Sequence, residues 1–202
     1  MSNAYHFMSH WRVLGTVDEV AAVLDDATAL PRWWPAVYLD VQPLASGDAN
    51  RIGERFALHT KGFLPYTLRW TLEVAEAQPS ERTVIRSTGD FVGYGIWTFR
   101  QDGPWADVTY EWNIEVTKPL LRRLSGLLKP VFAANHRWAM ATGLRGLELE
   151  LARRRASTTE ERARIPAPPA PTPTSPLPYL LATALLVWLL TRAARRLFDN
   201  GR

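Results

Sequence analysis

The stretch from Asp107 to Leu151, which opens with DVTYEWNIEV and closes with ATGLRGLELEL, decides the fold, because an alternating aromatic strand is followed by a long apolar helix. In the strand, apolar residues occupy every second position, the period expected when one side of a sheet is excluded from water; they are Val108, Tyr110, Trp112, Ile114 and Val116. In the helix, apolar residues recur at a spacing of three and four, at Met140, Leu144, Leu147 and Leu151. We therefore predict that the two apolar faces meet, with a solid core or a lined cavity between them.

The chain before this stretch is rich in strand patterns. Tyr5 to Leu14 predicts a first strand, and Thr16 is an N-cap type residue that starts a short helix. Arg32 to Pro35 predicts a second short helix or turn, and about six antiparallel strands follow between Val37 and Val116. The fold class is therefore α+β, a curved antiparallel meander with helices inserted after the first strand and appended at the end.

Pro130 interrupts the last helical pattern. Proline removes a backbone donor and disfavours helix at the residue before it, so a kink or break is expected there. We predict two segments, Leu120 to Leu128 and about Val131 to Arg155.

The amino-acid composition excludes some classes of function. The formal net charge is +4, but arginine is concentrated after Leu121, so the basic balance does not predict nucleic-acid binding by the folded domain. There is no cysteine, which excludes disulfides and thiolate metal sites. The N-terminus has no basic region followed by an apolar one, so we expect no secretory signal and a domain that lies in the cytoplasm.

The C-terminal part predicts a membrane anchor. Residues 1–155 form the expected domain, 156–176 a charged and then Pro-rich linker, and 177–198 an apolar segment. The uncharged run from Leu177 to Thr191 spans only about 22 Å as a helix, but extension to Phe198 reaches across a bilayer if the arginine stems snorkel. The alternatives are an amphipathic helix that lies in the interface or docks on a partner, and a helix buried in the core, against which the Pro-rich linker argues.

One residue of the sequence is a candidate for acid/base catalysis. The histidines lack metal-ligand spacing, and no nucleotide loop or nucleophile elbow is present, so no metal or cofactor is expected. His136 follows Asn135 on the predicted helix, where an imidazole near an aromatic cavity could transfer a proton. The alternative is that His136 orients neighbouring groups or faces solvent.

Two segments carry a family resemblance. LPRWWP at residues 30–35 and NHRWAMATGL at 135–144, in their order of strand, helices, meander and terminal helix, resemble the START-like, helix-grip (SRPBCC) superfamily and its polyketide cyclase/dehydrase and lipid-transport branch. The resemblance covers roughly residues 4 to 155. It implies a cavity between sheet and last helix that holds a hydrophobic or polycyclic small molecule, in a fold whose members include carriers, cyclases and dehydratases.

The expected function is therefore binding or transport of a lipid, isoprenoid or polyketide-like molecule at the membrane, with a cyclase, aromatase or dehydratase as the alternative. An interaction module whose cavity is filled by its own side chains is a third possibility. The expected ligand-binding residues are mostly aromatic, since such faces with a few polar tips hold apolar ligands; they are Phe56, Leu58, Trp70, Trp97, Tyr110, Trp112, Asn135, His136, Trp138 and Met140.

Overall fold

A computed structural model describes residues 4–117 and 119–174, without the side chains of residues 116 and 119–128. The chain divides into two compact units, Met1–Thr172 and Pro173–Arg202. The predicted membrane segment 177–198 lies outside the described residues. Within residues 4–117 and 119–174, no helix is long and apolar enough to cross a membrane.

The first unit is built on one antiparallel sheet of seven strands in the order β1-β7-β6-β5-β4-β3-β2. The strands are β1 Ala4–Leu14, β2 Tyr38–Ser46, β3 Glu54–Lys61, β4 Thr67–Gln78, β5 Arg82–Gly89, β6 Phe91–Asp102 and β7 Trp105–Val116. The first and last strands pair along their whole length, from Ala4 opposite Glu115 to Leu14 opposite Trp105. The other six strands form the predicted meander, so the antiparallel sheet with a long terminal helix is confirmed.

Two short helices connect β1 to β2. Helix α1, Val17–Leu24, begins with a capping box in which Thr16 and Glu19 satisfy each other's backbone N–H groups, as the N-cap prediction requires. A 3-10 turn, Ala27–Ala29, leads into α2, Leu30–Trp33, which has a proline in its first turn. Helix α1 contacts the long terminal helix, β6 and β7, and α2 contacts β2 and the same long helix.

Helix α3, Pro119–Arg155, is continuous through Pro130, so the predicted division into two segments is wrong. Proline in a helix interior costs about 3 kcal/mol through one lost hydrogen bond and a local clash. Burial of Met140, Leu147 and Leu151 in the core offsets that cost, since each such side chain contributes about 2 kcal/mol. A last short helix, α4 Thr159–Arg164, follows the long one.

The core lies between the inner face of the sheet and α1, α2 and α3. The apolar register predicted for β7 is confirmed, because Val108, Tyr110 and Ile114 are buried. Helix α3 approaches α2 closely at two glycines: a Cβ atom on Gly143 would overlap the Trp34 ring, and one on Gly146 would overlap the main-chain oxygen of Trp33. These glycines fix the distance between the helix and the tryptophan pair.

Candidate functional site

A cavity of about 130 Å³ lies between the sheet and α3. Strands β1, β2, β3, β4, β6 and β7 contribute its walls, and α3 covers it with Phe132, His136 and Met140. Most of the lining is aromatic or aliphatic, which is the composition of sites that hold apolar ligands. The choice left open by the sequence is therefore settled in favour of a lined cavity.

The aromatic wall of this cavity is a chain of ring contacts. Trp97 stacks on Tyr110 with ring centroids 4.0 Å apart, and Tyr110 lies 6.4 Å from Trp112. Behind them, Trp11 contacts both Trp34 and Trp97, at 5.7 and 5.5 Å. Such contacts restrict the orientation of each ring.

A second cavity of about 50 Å³ lies beyond this wall. It shares four aromatic side chains with the main cavity, namely Trp34, Tyr38, Trp97 and Tyr110. The shared rings therefore form a partition between the two spaces.

His136 is held inside the cavity wall. Its ring stacks on Phe7 at 4.4 Å and on Trp112 at 5.4 Å, and its Nε2 lies 3.0 Å from the Ser9 hydroxyl. Burial, together with the neighbouring Arg137 charge, lowers its pKa to about 4. The imidazole is therefore neutral near pH 7 and is a poor proton acceptor.

Trp112 brings an unused donor to the same wall. Its Nε1 is buried and has no hydrogen-bond partner within the described part of the chain. By contrast, Trp70 donates its Nε1 hydrogen to the Thr60 hydroxyl at 3.0 Å. A buried donor without an acceptor costs about 1–3 kcal/mol, so this indole lowers the stability of the wall.

Lys61, the last residue of β3, also belongs to the lining. It is only 3% exposed, and its Nζ donates to the main-chain oxygen of Thr172. Burial lowers the pKa of this ammonium group. The sequence does not identify Lys61 as a lining residue, because alternation along β3 predicts that its side chain lies on the other face of the sheet from that of Thr60.

The loop of residues 62–66 between β3 and β4 closes one side of the cavity. Asn135 accepts a hydrogen bond from the Phe63 backbone N–H at 2.9 Å, and Phe63 contacts Trp138 edge to face. Thr172 donates its hydroxyl hydrogen to the Gly62 carbonyl at 3.2 Å. Helix α3 and the Pro-rich segment therefore both hold this loop.

The ten residues predicted for the site fall into three groups. The main cavity is lined by seven of them: Trp70, Trp97, Tyr110, Trp112, Asn135, His136 and Met140. Phe56 lines the second cavity instead. Leu58 is buried in the core, and Trp138 contacts the loop through Phe63 without lining either cavity.

Several lining residues were not in the predicted set. Phe7 on β1, Tyr38 at the start of β2 and Phe91 at the start of β6 lie in the wall, as do Tyr66 and Leu68 near the loop. The alternation of β1 could have identified Phe7, because Tyr5, Phe7 and Trp11 share one face. No cluster of three or more His, Cys, Asp or Glu side chains suited to a metal occurs in the described residues.

A curved antiparallel sheet that grips a long terminal helix around an apolar cavity defines the helix-grip class of ligand-binding domains. The family model described as polyketide cyclase / dehydrase and lipid transport matches residues 12–152, and the chain belongs to that family. No curated protein matches the chain.

Solved structures share the fold. A protein from Thermus thermophilus superposes with a TM-score of 0.61 at 18% identity, covering 75% of this chain and 100% of that one. The Zhui aromatase/cyclase from a Streptomyces species gives a TM-score of 0.61 at 18% identity, covering 76% and 97%. A START superfamily protein from Mycobacterium smegmatis gives 0.50 at 16% identity, covering 67% and 98%. At these identities the likeness establishes the fold, and together with the family it supports hydrophobic ligand binding or cyclase chemistry.

Proposed function

We propose that this protein binds and carries a hydrophobic small molecule in the cavity between the sheet and α3. The observation that carries the proposal is the lining itself, an aromatic and aliphatic wall with a few buried polar tips. Burial of a ligand's apolar surface there stabilises the complex by about 25 cal/mol per Å². The pre-ordered rings reduce the entropy lost on binding.

The volume of the cavity limits the size of the ligand that it can hold. Drug-sized ligands occupy roughly 300–1,000 Å³, whereas an engineered apolar cavity of about 150 Å³ holds benzene. The main cavity, at about 130 Å³, therefore suits a body of about one ring. A longer ligand would have to displace the partition rings or the loop of residues 62–66.

The state of His136 favours binding over turnover. An efficient general base has a pKa near the working pH, and the pKa of His136 is about 4. Its Nε2 is also occupied by the Ser9 hydroxyl. The alternative, a cyclase or dehydratase, is supported by the family description and requires a proton-transfer group that turns over substrate in this cavity.

Membrane attachment through residues 177–198 belongs to the same proposal, with the domain on the cytoplasmic side. A poorly soluble ligand partitions into the bilayer, so a domain held there meets it at raised effective concentration. The apolar run from Leu177 to Thr191 supports this arrangement.

The cavity is tested by filling it. In the full chain, Ala139→Leu adds a branched side chain where Ala139 lines the cavity, and Ala141→Leu adds the same side chain at an exposed position of the same helix. We expect Ala139→Leu to lower the affinity for butylbenzene at least tenfold by isothermal titration calorimetry, and Ala141→Leu to leave it within about twofold.

Two results would contradict the proposal. If butylbenzene binds wild type and both variants equally, the ligand lies elsewhere, and if neither butylbenzene nor 4-phenylbutanoate binds wild type, the cavity is not a binding site. Turnover of a polyketide-like ketone that disappears in His136→Ala, with an unchanged circular dichroism spectrum, would replace the carrier by the cyclase.

A further inference from the structure

Lys61 brings a basic side chain to a cavity that is otherwise lined by uncharged groups. Among the described residues that line the cavity, it is the only Lys or Arg, and none of them is Asp or Glu. Removing an ammonium group from water is costly unless the group is paired. At 3% exposure, Lys61 has lost nearly all contact with solvent.

The ammonium group of Lys61 is only partly satisfied. It has three N–H donors, and within the described part of the chain its acceptor is the main-chain oxygen of Thr172. No described carboxylate forms an ion pair with it. The burial that lowers its pKa is therefore not balanced by a counter-ion among the described residues.

The position of Lys61 suits the polar end of a ligand. It ends β3, next to the loop that Asn135 and Thr172 hold against the cavity. The carbonyl that Lys61 now meets belongs to the Pro-rich segment and not to the sheet. An anion of the ligand can take the place of that carbonyl, because a flexible four-carbon stem lets the ammonium group move.

We infer that Lys61 receives the carboxylate of an acidic ligand whose apolar body, of about one ring, occupies the main cavity. This inference rests on the proposed function, since it assigns the polar end of the same ligand. An ammonium–carboxylate hydrogen bond is roughly twice as strong as a neutral one. The ligand class is therefore a monocarboxylic acid with an aromatic or short aliphatic body, and not a neutral hydrocarbon or alcohol.

The test compares matched ligands on the full chain. 4-Phenylbutanoate, 4-phenylbutanamide and butylbenzene share one apolar body and differ in the charge at its end. Affinities are measured by isothermal titration calorimetry for wild type, Lys61→Arg and Lys61→Met. Octanoate is added to distinguish an aliphatic acid from an aromatic one.

We expect wild type to bind the better of the two acids about tenfold to hundredfold more tightly than the amide. Lys61→Arg should keep a preference for the acid, and Lys61→Met should reverse it while binding the amide as wild type does, which shows that the variant is folded. The acid that binds more tightly shows whether the apolar part of the ligand is aromatic or aliphatic.

Each contrary result is distinct. If butylbenzene and the amide bind but the acids have no advantage, or if Lys61→Met keeps the advantage, the role of Lys61 is wrong and the hydrophobic site remains. If none of the four ligands binds wild type, both the site and the role of Lys61 are wrong.

Discussion

The imidazole of His136 shows how one residue couples the cavity to pH. It packs between Phe7 and Trp112, and burial, together with the Arg137 charge, disfavours its protonated form. Its pKa is about 4, against an ordinary value of 6.5. The unfolded chain therefore gains a proton at His136 before the folded protein does.

We predict that His136 destabilises the fold in mild acid. Because the folded pKa is lowered, its contribution to stability is complete above pH 6.5 and is lost as the pH falls towards 4, by roughly 3 kcal/mol in total. His136→Gln should flatten the fall in the free energy of unfolding between pH 6.5 and 4.5, measured by urea denaturation. The matched control is His10→Gln, at an exposed position. Parallel curves for wild type and His136→Gln would show that the imidazole is not shielded as described.

At the residue level, the sequence predicts aromatic positions better than charged ones. The alternation of β7 identifies Tyr110 and Trp112 as inward facing, because each strand exposes successive side chains to opposite sides. The same rule places Lys61 outward, and it fails because the Thr172 carbonyl and the adjoining loop cover the strand end. That contact joins residues 111 positions apart, which no local pattern can reveal.

At the level of elements, the position of α3 depends on two glycines. Glycine weakens a helix interior by about 1 kcal/mol relative to alanine. From helix propensity alone, Gly143 and Gly146 are therefore unfavourable residues in α3. They allow the helix backbone to approach the Trp33–Trp34 pair, whose rings stack at 5.4 Å. The long helix was predictable from its apolar spacing, whereas its continuity through Pro130 depends on the tertiary packing of Phe132 and the residues after it.

We predict that Gly146→Ala destabilises the protein despite the better helix propensity of alanine. The added methyl group meets the backbone oxygen of Trp33, which cannot move as a side chain can. Overpacking costs about 1–3 kcal/mol, so a net loss of about 1 kcal/mol or more is expected in chemical denaturation. Arg145→Ala, on the exposed side of the same helix, should change stability by less than about 0.5 kcal/mol. A Gly146→Ala protein as stable as wild type would mean that α3 and α2 separate more easily than the packing indicates.

At the scale of the whole molecule, the Pro-rich segment has two connections. Its residue Thr172 bonds to Gly62 beside the cavity, and the apolar run that begins at Leu177 follows a few residues later. Proline-rich chain is extended and semi-rigid. Composition predicts the stiffness of this segment, but not its contact with the β3–β4 loop.

We predict that the apolar run holds the protein at the membrane. Leu185→Asp combined with Leu189→Asp places two charges in the run, each of which costs about 3 kcal/mol near the centre of a bilayer. After a carbonate wash of fractionated cells, wild type should remain with the membranes and the double variant should be soluble. The control, Thr174→Asp with Ser175→Asp, adds the same charge before the run and should remain bound. Equal solubility of wild type and the double variant would exclude a spanning helix.

The contacts of Trp11 with Trp34 and Trp97 also have an optical consequence. Indole rings less than 6 Å apart are electronically coupled, so an excited state formed on one ring migrates to its neighbours before it emits. Fixed asymmetric coupling also gives these rings strong near-ultraviolet circular dichroism. A ligand that contacts only Trp97 would therefore also reduce the fluorescence of Trp11 and Trp34. Intrinsic tryptophan fluorescence would then report ligand binding.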